Sequence, residues 1–259
     1  MKLKITLILI SFICFTNCKK KVDNTTEESK VIAENIEKPV AKIHPIEHAS
    51  TVIEFNDKTI YIDPTLGAEP YKTYKTPDFV VITDIHGDHM NIETLKALDL
   101  SHAKIIAPKA VADQLANELD SNITVINNGD LKDFDVFKLE AIPMYNLRED
   151  ALKFHPNGRG NGYVFTFGNE RVYFSGDTED IPEMRALKNI DKAFVCMNLP
   201  YTMTVESAAS AVLDFKPKKV YPYHYRGTNG LSDVEKFKKI VNASNSEIEV
   251  VQLNWYPTR

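Results

Sequence analysis

The chain is poor in cysteine: Cys14, Cys18 and Cys196 are all that its 259 residues contain, too few and too unevenly spaced for a disulfide framework or a cysteine-rich zinc site. It also lacks a basic excess, with 31 Lys and Arg against 36 Asp and Glu and a formal net charge of -5, so nucleic acid is excluded as the main partner. Fixed-period repeats are missing, which argues against a solenoid or array. What is present suffices for a globular enzyme. With 43% hydrophobic residues the chain can bury a sizeable core, and seven histidines with the carboxylates must carry any metal site.

The front of the chain has its own texture. Lys2 and Lys4 precede an apolar run at 5–15, short for a bilayer span but suited to the hydrophobic region of a secretory signal. Phe15-Thr16-Asn17-Cys18-Lys19-Lys20-Lys21 follows and resembles a bacterial lipoprotein signal, with Cys18 as the lipidated residue and Asn17 where Gly or Ala is usual. The expected organisation is a signal peptide over 1–17, a flexible tether over 18–40 and one domain over 41–259, exported and lipid-anchored to a bacterial cell-envelope membrane. Cys196, within Ala193-Phe194-Val195-Cys196-Met197, reads as a buried small hydrophobe.

From Ile43 onward, short β-rich runs come first in hairpins and then alternate with helical stretches. Residues 51–55 and 59–62 flank Asn56-Asp57-Lys58, and 163–167 and 171–174 flank Gly168-Asn169-Glu170, two hairpin patterns. The runs at 79–83 and 193–197 are continuously apolar, the mark of strands covered on both faces. Further strands are expected at 104–107, 123–126, 135–142, 219–223 and 247–253, and helices at 91–98, 109–119, 205–215 and 232–241. This order predicts a layered α/β domain with mixed sheets.

The chemistry concentrates in Thr83-Asp84-Ile85-His86-Gly87-Asp88-His89, which packs four metal-binding side chains into six positions. Asp84 and His86, two apart in an extended segment, can share one ion; Asp88 and His89, where the chain turns toward the next helix, can reach a second. The same run would also serve as a solvated loop with Asp88 capping that helix. Two later strand ends favour the metal reading: Tyr173-Phe174-Ser175-Gly176-Asp177-Thr178 and Val220-Tyr221-Pro222-Tyr223-His224-Tyr225.

Together these segments resemble the metallo-β-lactamase fold superfamily, whose His-x-His-x-Asp-His signature ends a core strand and is joined by a bridging carboxylate and a last histidine at later strand ends. His48-Ala49-Ser50-Thr51-Val52-Ile53-Glu54 is similar to the branch containing ascorbate-6-phosphate lactonase and the N-acylphosphatidylethanolamine phospholipase D type enzymes. The resemblance implies a four-layer αββα sandwich and two divalent metal ions held by Asp84, His86, Asp88, His89, Asp177 and His224, with Asp88 also catalytic. Two departures stand out. Asp84 takes the place of the first signature histidine, and the middle histidine's place falls at Pro143-Met144-Tyr145-Asn146, leaving Asn146 or, from a nearby loop, His155 to complete the first subsite. The harder donor set keeps manganese and iron beside zinc as candidate metals.

Two close ions would activate hydroxide for attack and absorb the charge of the transition state, so no Ser or Cys nucleophile is required. The expected activity is hydrolysis of an ester, lactone or phosphodiester in a small anionic molecule. Arg159, Arg226 and Arg148 are candidates for anion capture, and Tyr201 for the cleft wall. Arg159, inside Gly158-Arg159-Gly160-Asn161-Gly162, would equally brace its own loop through carbonyl contacts. His44 and His102 lack such support, and His48 stands between a cleft role and a strand role. The competing readings are a metal-binding lipoprotein without turnover and a di-iron redox protein, the latter disfavoured because no flavin-binding domain accompanies the motif.

Overall fold

Strands that alternate between two buried faces need a covering layer on each side, and that requirement builds this domain. The computed structural model describes residues 39–119 and 122–257; the signal peptide and most of the tether expected at the front lie outside them. β1 (Lys42–Glu47), β2 (Ser50–Phe55) and β3 (Lys58–Ile62) form an antiparallel meander. Asn56 and Asp57, at φ 48° and 60°, make the left-handed pair of a two-residue hairpin between β2 and β3. β4 (Phe79–Val81), β5 (Lys104–Ala107) and β6 (Ile123–Val125) add in parallel, completing a six-stranded sheet in sequence order. Val52, Tyr61, Val80 and Ile105 cluster with Leu95 of α1 (Ile92–Ala97) and with Val111 and Leu115 of α2 (Lys109–Leu115). Ile53, Ile60, Ile62, Val81 and Ile106 belong to the other cluster, shared with the second sheet.

In that second sheet β7 (Leu131–Asp133), β8 (Lys138–Met144), β9 (Gly160–Phe167) and β10 (Glu170–Phe174) run antiparallel, and β11 (Lys192–Val195) and β12 (Lys219–Pro222) continue in parallel from β10. β13 (Arg226–Gly227) and β14 (Gly230–Leu231) form a separate ribbon, and β15 (Glu249–Val250) closes the seven-stranded sheet beside β12. Phe174 and Phe194 stack 4.4 Å apart in its core, and Met184, Ala208, Val212, Phe237 and Val241 bring in α3 (Pro182–Arg185), α4 (Val205–Phe215) and α5 (Val234–Ser244). The expected αββα sandwich is what forms.

α4 and β5 fall on their expected residues. The strand expected at 247–253 keeps only two paired residues, because β15 is an edge strand with β12 as its sole neighbour. β7, exposed at all three positions, carries no apolar alternation from which a strand could be read. Cys196 is fully buried, and burial together with the Asp177 charge pushes its thiol up to about 12.

Candidate metal centre

Parallel register brings strand ends to one edge, and three of them meet here. β10 delivers Asp177 and β12 delivers His224, while β4 of the other sheet leads into the loop carrying Asp84 to His89. Asp88, His89, Asp177 and His224 each offer a ligand atom, all within 4.8 Å of one another. His224 Nε2 stands 3.4 Å from both Asp88 Oδ2 and Asp177 Oδ1, and His89 Nε2 stands 3.4 Å from Asp177 Oδ2. His224 is itself in left-handed backbone, at φ 46°, a conformation a non-glycine residue keeps only where its surroundings impose it. Gly176 is required for a similar reason: its φ is +60°, and a Cβ would press on the Met144 side chain and the Asn161 carbonyl.

Asp84, His86 and His155 form a second cluster, and His155 Nε2 lies 3.3 Å from Asp177 Oδ2, so Asp177 borders both. Three imidazoles are aimed by what their Nδ1 atoms touch. His89 Nδ1 meets Asp63 Oδ2 at 2.8 Å, His86 Nδ1 meets Asp84 Oδ2 at 2.8 Å, and His155 Nδ1 donates to the Tyr201 carbonyl at 3.2 Å. Each Nε2 is thereby left for the centre.

The donor set fits a divalent ion. His89 Nε2, His155 Nε2, His224 Nε2 and Asp177 Oδ1 are buried without hydrogen-bond partners, a cost that a shared cation would remove. Imidazole and carboxylate donors suit zinc, manganese or iron. Burial would raise the Asp177 carboxyl, yet the charges of His224 and His89 hold it well below its usual range. Conversely, burial would lower His89, while Asp177, Asp63 and Asp88 raise it well above its ordinary value. Histidine protons here balance carboxylates that a metal cation would balance in their place.

His48 lies outside the four-residue cluster and supports Asp88. The Tyr256 hydroxyl accepts from the Tyr225 and Arg226 backbone N–H groups, both at 3.0 Å, so its own proton is directed to His48 Nδ1 at 2.9 Å. His48 Nε2 then carries the hydrogen that faces Asp88 Oδ2 at 3.3 Å. Burial, followed by the nearby His224, lowers the His48 pKa and favours this neutral form.

The Beta-lactamase superfamily domain family matches residues 42–224. A UPF0173 metal-dependent hydrolase of Pyrococcus abyssi is 30% identical over 212 residues, covering 78% of this chain and 92% of its own. The chain belongs to the metallo-β-lactamase superfamily of metal-dependent hydrolases. A candidate metal-dependent hydrolase of Parabacteroides distasonis superposes with a TM-score of 0.75 at 38% identity, covering 84% of this chain and 94% of its own. Igni18, a metallo hydrolase of Ignicoccus hospitalis, shares the fold with a TM-score of 0.70 at 23% identity, over 82% of this chain and 94% of its own.

Within this hydrolase the other expected site residues are placed as follows. Asn146 donates its amide nitrogen to the Ala151 and Tyr201 carbonyls at 2.9 and 2.6 Å, which leaves its buried Oδ1 without a partner, and the imidazole of His155 stands in the second cluster. Arg159 is engaged inside the protein: its Nε and a terminal nitrogen fork onto Asp84 at 2.9 and 2.8 Å, and it also donates to the Phe154 carbonyl. The reason is electrostatic, since Asp84 is fully buried and needs a counter-charge. Against the upward pull of burial, bonds from His86 and Arg159 hold the Asp84 carboxyl down to about 2. Arg148 is likewise occupied, by Glu179 and the Pro200 and Thr202 carbonyls.

Arg226 does line a cavity beside Asp88, with its guanidinium 4.6 Å over the Tyr256 ring and 3.1 Å from Glu47. Tyr201 lines a second cavity with His86, His155 and Asp177. The cap of α1 is Asn91, which accepts from Thr94 N, and not Asp88. Asp63, Tyr256 and Glu179 escape a reading of the sequence; only the position of Asp63, one residue past β3, marks it as a strand-end acid.

Proposed function

We propose that this hydrolase cleaves an ester, lactone or phosphodiester bond in a small anionic molecule, with two divalent ions at the Asp88–His89–Asp177–His224 and His86–His155–Asp177 groups. Zinc is the first choice of metal, with manganese or iron as alternatives. The observation that carries this reading is the convergence of orphaned, buried ligand atoms at the floor of a cleft that opens on both sides of Asp88. One side is a cavity of about 320 Å³ containing Phe154 and Tyr201, the other a cavity of about 450 Å³ reaching His48 and Arg226. Both are on the scale of small-molecule sites.

Bound divalent ions supply Lewis-acid charge and lower the pKa of water from about 15.7 to about 7. Asp88, with its side chain 45% exposed, is the carboxylate that meets the substrate, takes the proton of the attacking water and passes it to the leaving group. His48 holds Asp88 in that orientation through Nε2. Arg226 receives the substrate's anionic group at the outer cavity, and Tyr201 with Phe154 packs its apolar portion. A place in the ascorbate-6-phosphate lactonase and phospholipase D like branch, and export with a lipid anchor at Cys18, belong to the same proposal.

The test is turnover of p-nitrophenyl phosphodiesters, carboxylic esters and lactones by the chain loaded with zinc, manganese or iron. Hydrolysis of one class, lost on chelation and restored by metal, is the expected result. Bound metal with no turnover on any class would instead favour the non-catalytic metal-binding lipoprotein.

A further inference from the structure

Two imidazoles in this centre are oriented by carboxylates, and only one of those carboxylates has a guanidinium on it. Asp63 receives Thr83 N and Thr83 Oγ1 at 2.8 and 2.6 Å beside His89. Asp84 receives the Arg159 fork and, through Oδ2, His86 Nδ1. With Nδ1 so engaged, His86 can bind an ion only through Nε2. That atom lies 3.5 Å from the same Arg159 nitrogen, whose two hydrogens go to Asp84 and the Phe154 carbonyl, so the guanidinium's positive charge stands at contact distance from the His86 lone pair. The approach is built into the backbone: at Gly160 a Cβ would come within 2.9 Å of the Thr83 carbonyl and 3.2 Å of Asp84 Oδ1.

We infer that Arg159 is an internal competitor for the second metal ion, and that Asp84 is a positioning residue for His86 and not a ligand. The inference rests on the metal-dependent reading above. Among the described residues, loading at Asp88, His89, Asp177 and His224 meets no Lys or Arg within ion-pair distance of those carboxylates, only histidine. Loading at His86 and His155 must bring a second positive charge up to the Arg159 guanidinium, which stands 3.5 Å from the His86 lone pair. The two subsites are therefore unequal, and Arg159 sets the gap between them.

The experiment is calorimetric titration of the metal-stripped full chain with Zn2+, with Co2+ absorption spectra counting occupied sites independently of activity. The wild type is expected to fill in two steps, the second at least tenfold weaker. Arg159→Gln should strengthen that second step at least tenfold. The doubly neutral variant Asp84→Asn with Arg159→Gln removes the buried charge pair in one move, so its fold can be kept when the single variant is unstable, as circular dichroism would report. It should also gain at the second step, because an Asn oxygen still accepts from His86 Nδ1. Two equal steps in the wild type, or a second step that the Arg159→Gln variant leaves unchanged or weaker, would overturn the inference, as would loss of that step in the double variant. No zinc binding at all would overturn the metal reading itself.

Discussion

His89 and His86 are three residues apart on one loop, and each presents Nδ1 to a carboxylate at 2.8 Å, yet they stand in different electrostatic settings. Asp63 receives neutral donors from Thr83, so on the His89 side the carboxylates are balanced by histidine protons, which a metal cation can replace. Asp84 is neutralised by Arg159, so the His86 side already holds a guanidinium. The same orienting device thus makes a strong subsite or a guarded one, depending on what sits behind the carboxylate.

Asp177 touches both sides, and its replacement is the largest effect expected. Asp177→Ala should remove bound metal at both subsites and with it all hydrolysis, which elemental analysis and the ester panel would measure. A chain that keeps one full equivalent would show that the two groups do not share this residue. Next comes Asp63→Asn, which should weaken the His89 subsite by about 10- to 100-fold, the usual effect of an outer-shell partner, while sparing the His86 subsite. Equal weakening of both would erase the distinction drawn here.

Smaller still is Tyr256→Phe. It withdraws the proton offered to His48 Nδ1, frees that ring to turn, and should lower kcat by about tenfold with metal content unchanged. Arg226→Ala, at the half-exposed rim, should raise KM for anionic substrates by about three- to fivefold and leave kcat and metal stoichiometry alone. A matched rise for a neutral substrate would remove Arg226 from anion capture.

Much of this centre is readable in the residue order, because ligand spacing and strand ends are local properties. Asp88, His89, Asp177 and His224 are each found at a turn that follows an apolar run, and the structure brings all of them together. Arg159 and Asn146 show where local reading stops. Arg159 lies among glycines and looks free to meet an anion, but its partner Asp84 is 75 positions away and buried. Asn146 sits at the strand end where a ligand is expected, but what holds its amide, with Oδ1 buried and unpartnered, is the carbonyl of Tyr201, 55 positions on. His48 shows the same limit, since its hydrogen-bonded form depends on Tyr256, 208 positions later.

What the sequence by itself determined is the kind of chemistry: imidazoles and carboxylates in place of thiols, set at the ends of strands whose two-sided burial demands a layered sandwich. That much follows from side-chain type and period-two alternation, which act over a few residues. Tertiary structure alone decided which carboxylate stays open to a metal and which is answered by a guanidinium. A buried charge takes its partner from whatever the fold brings within about 3 Å, and that proximity is set by the packing of the whole domain.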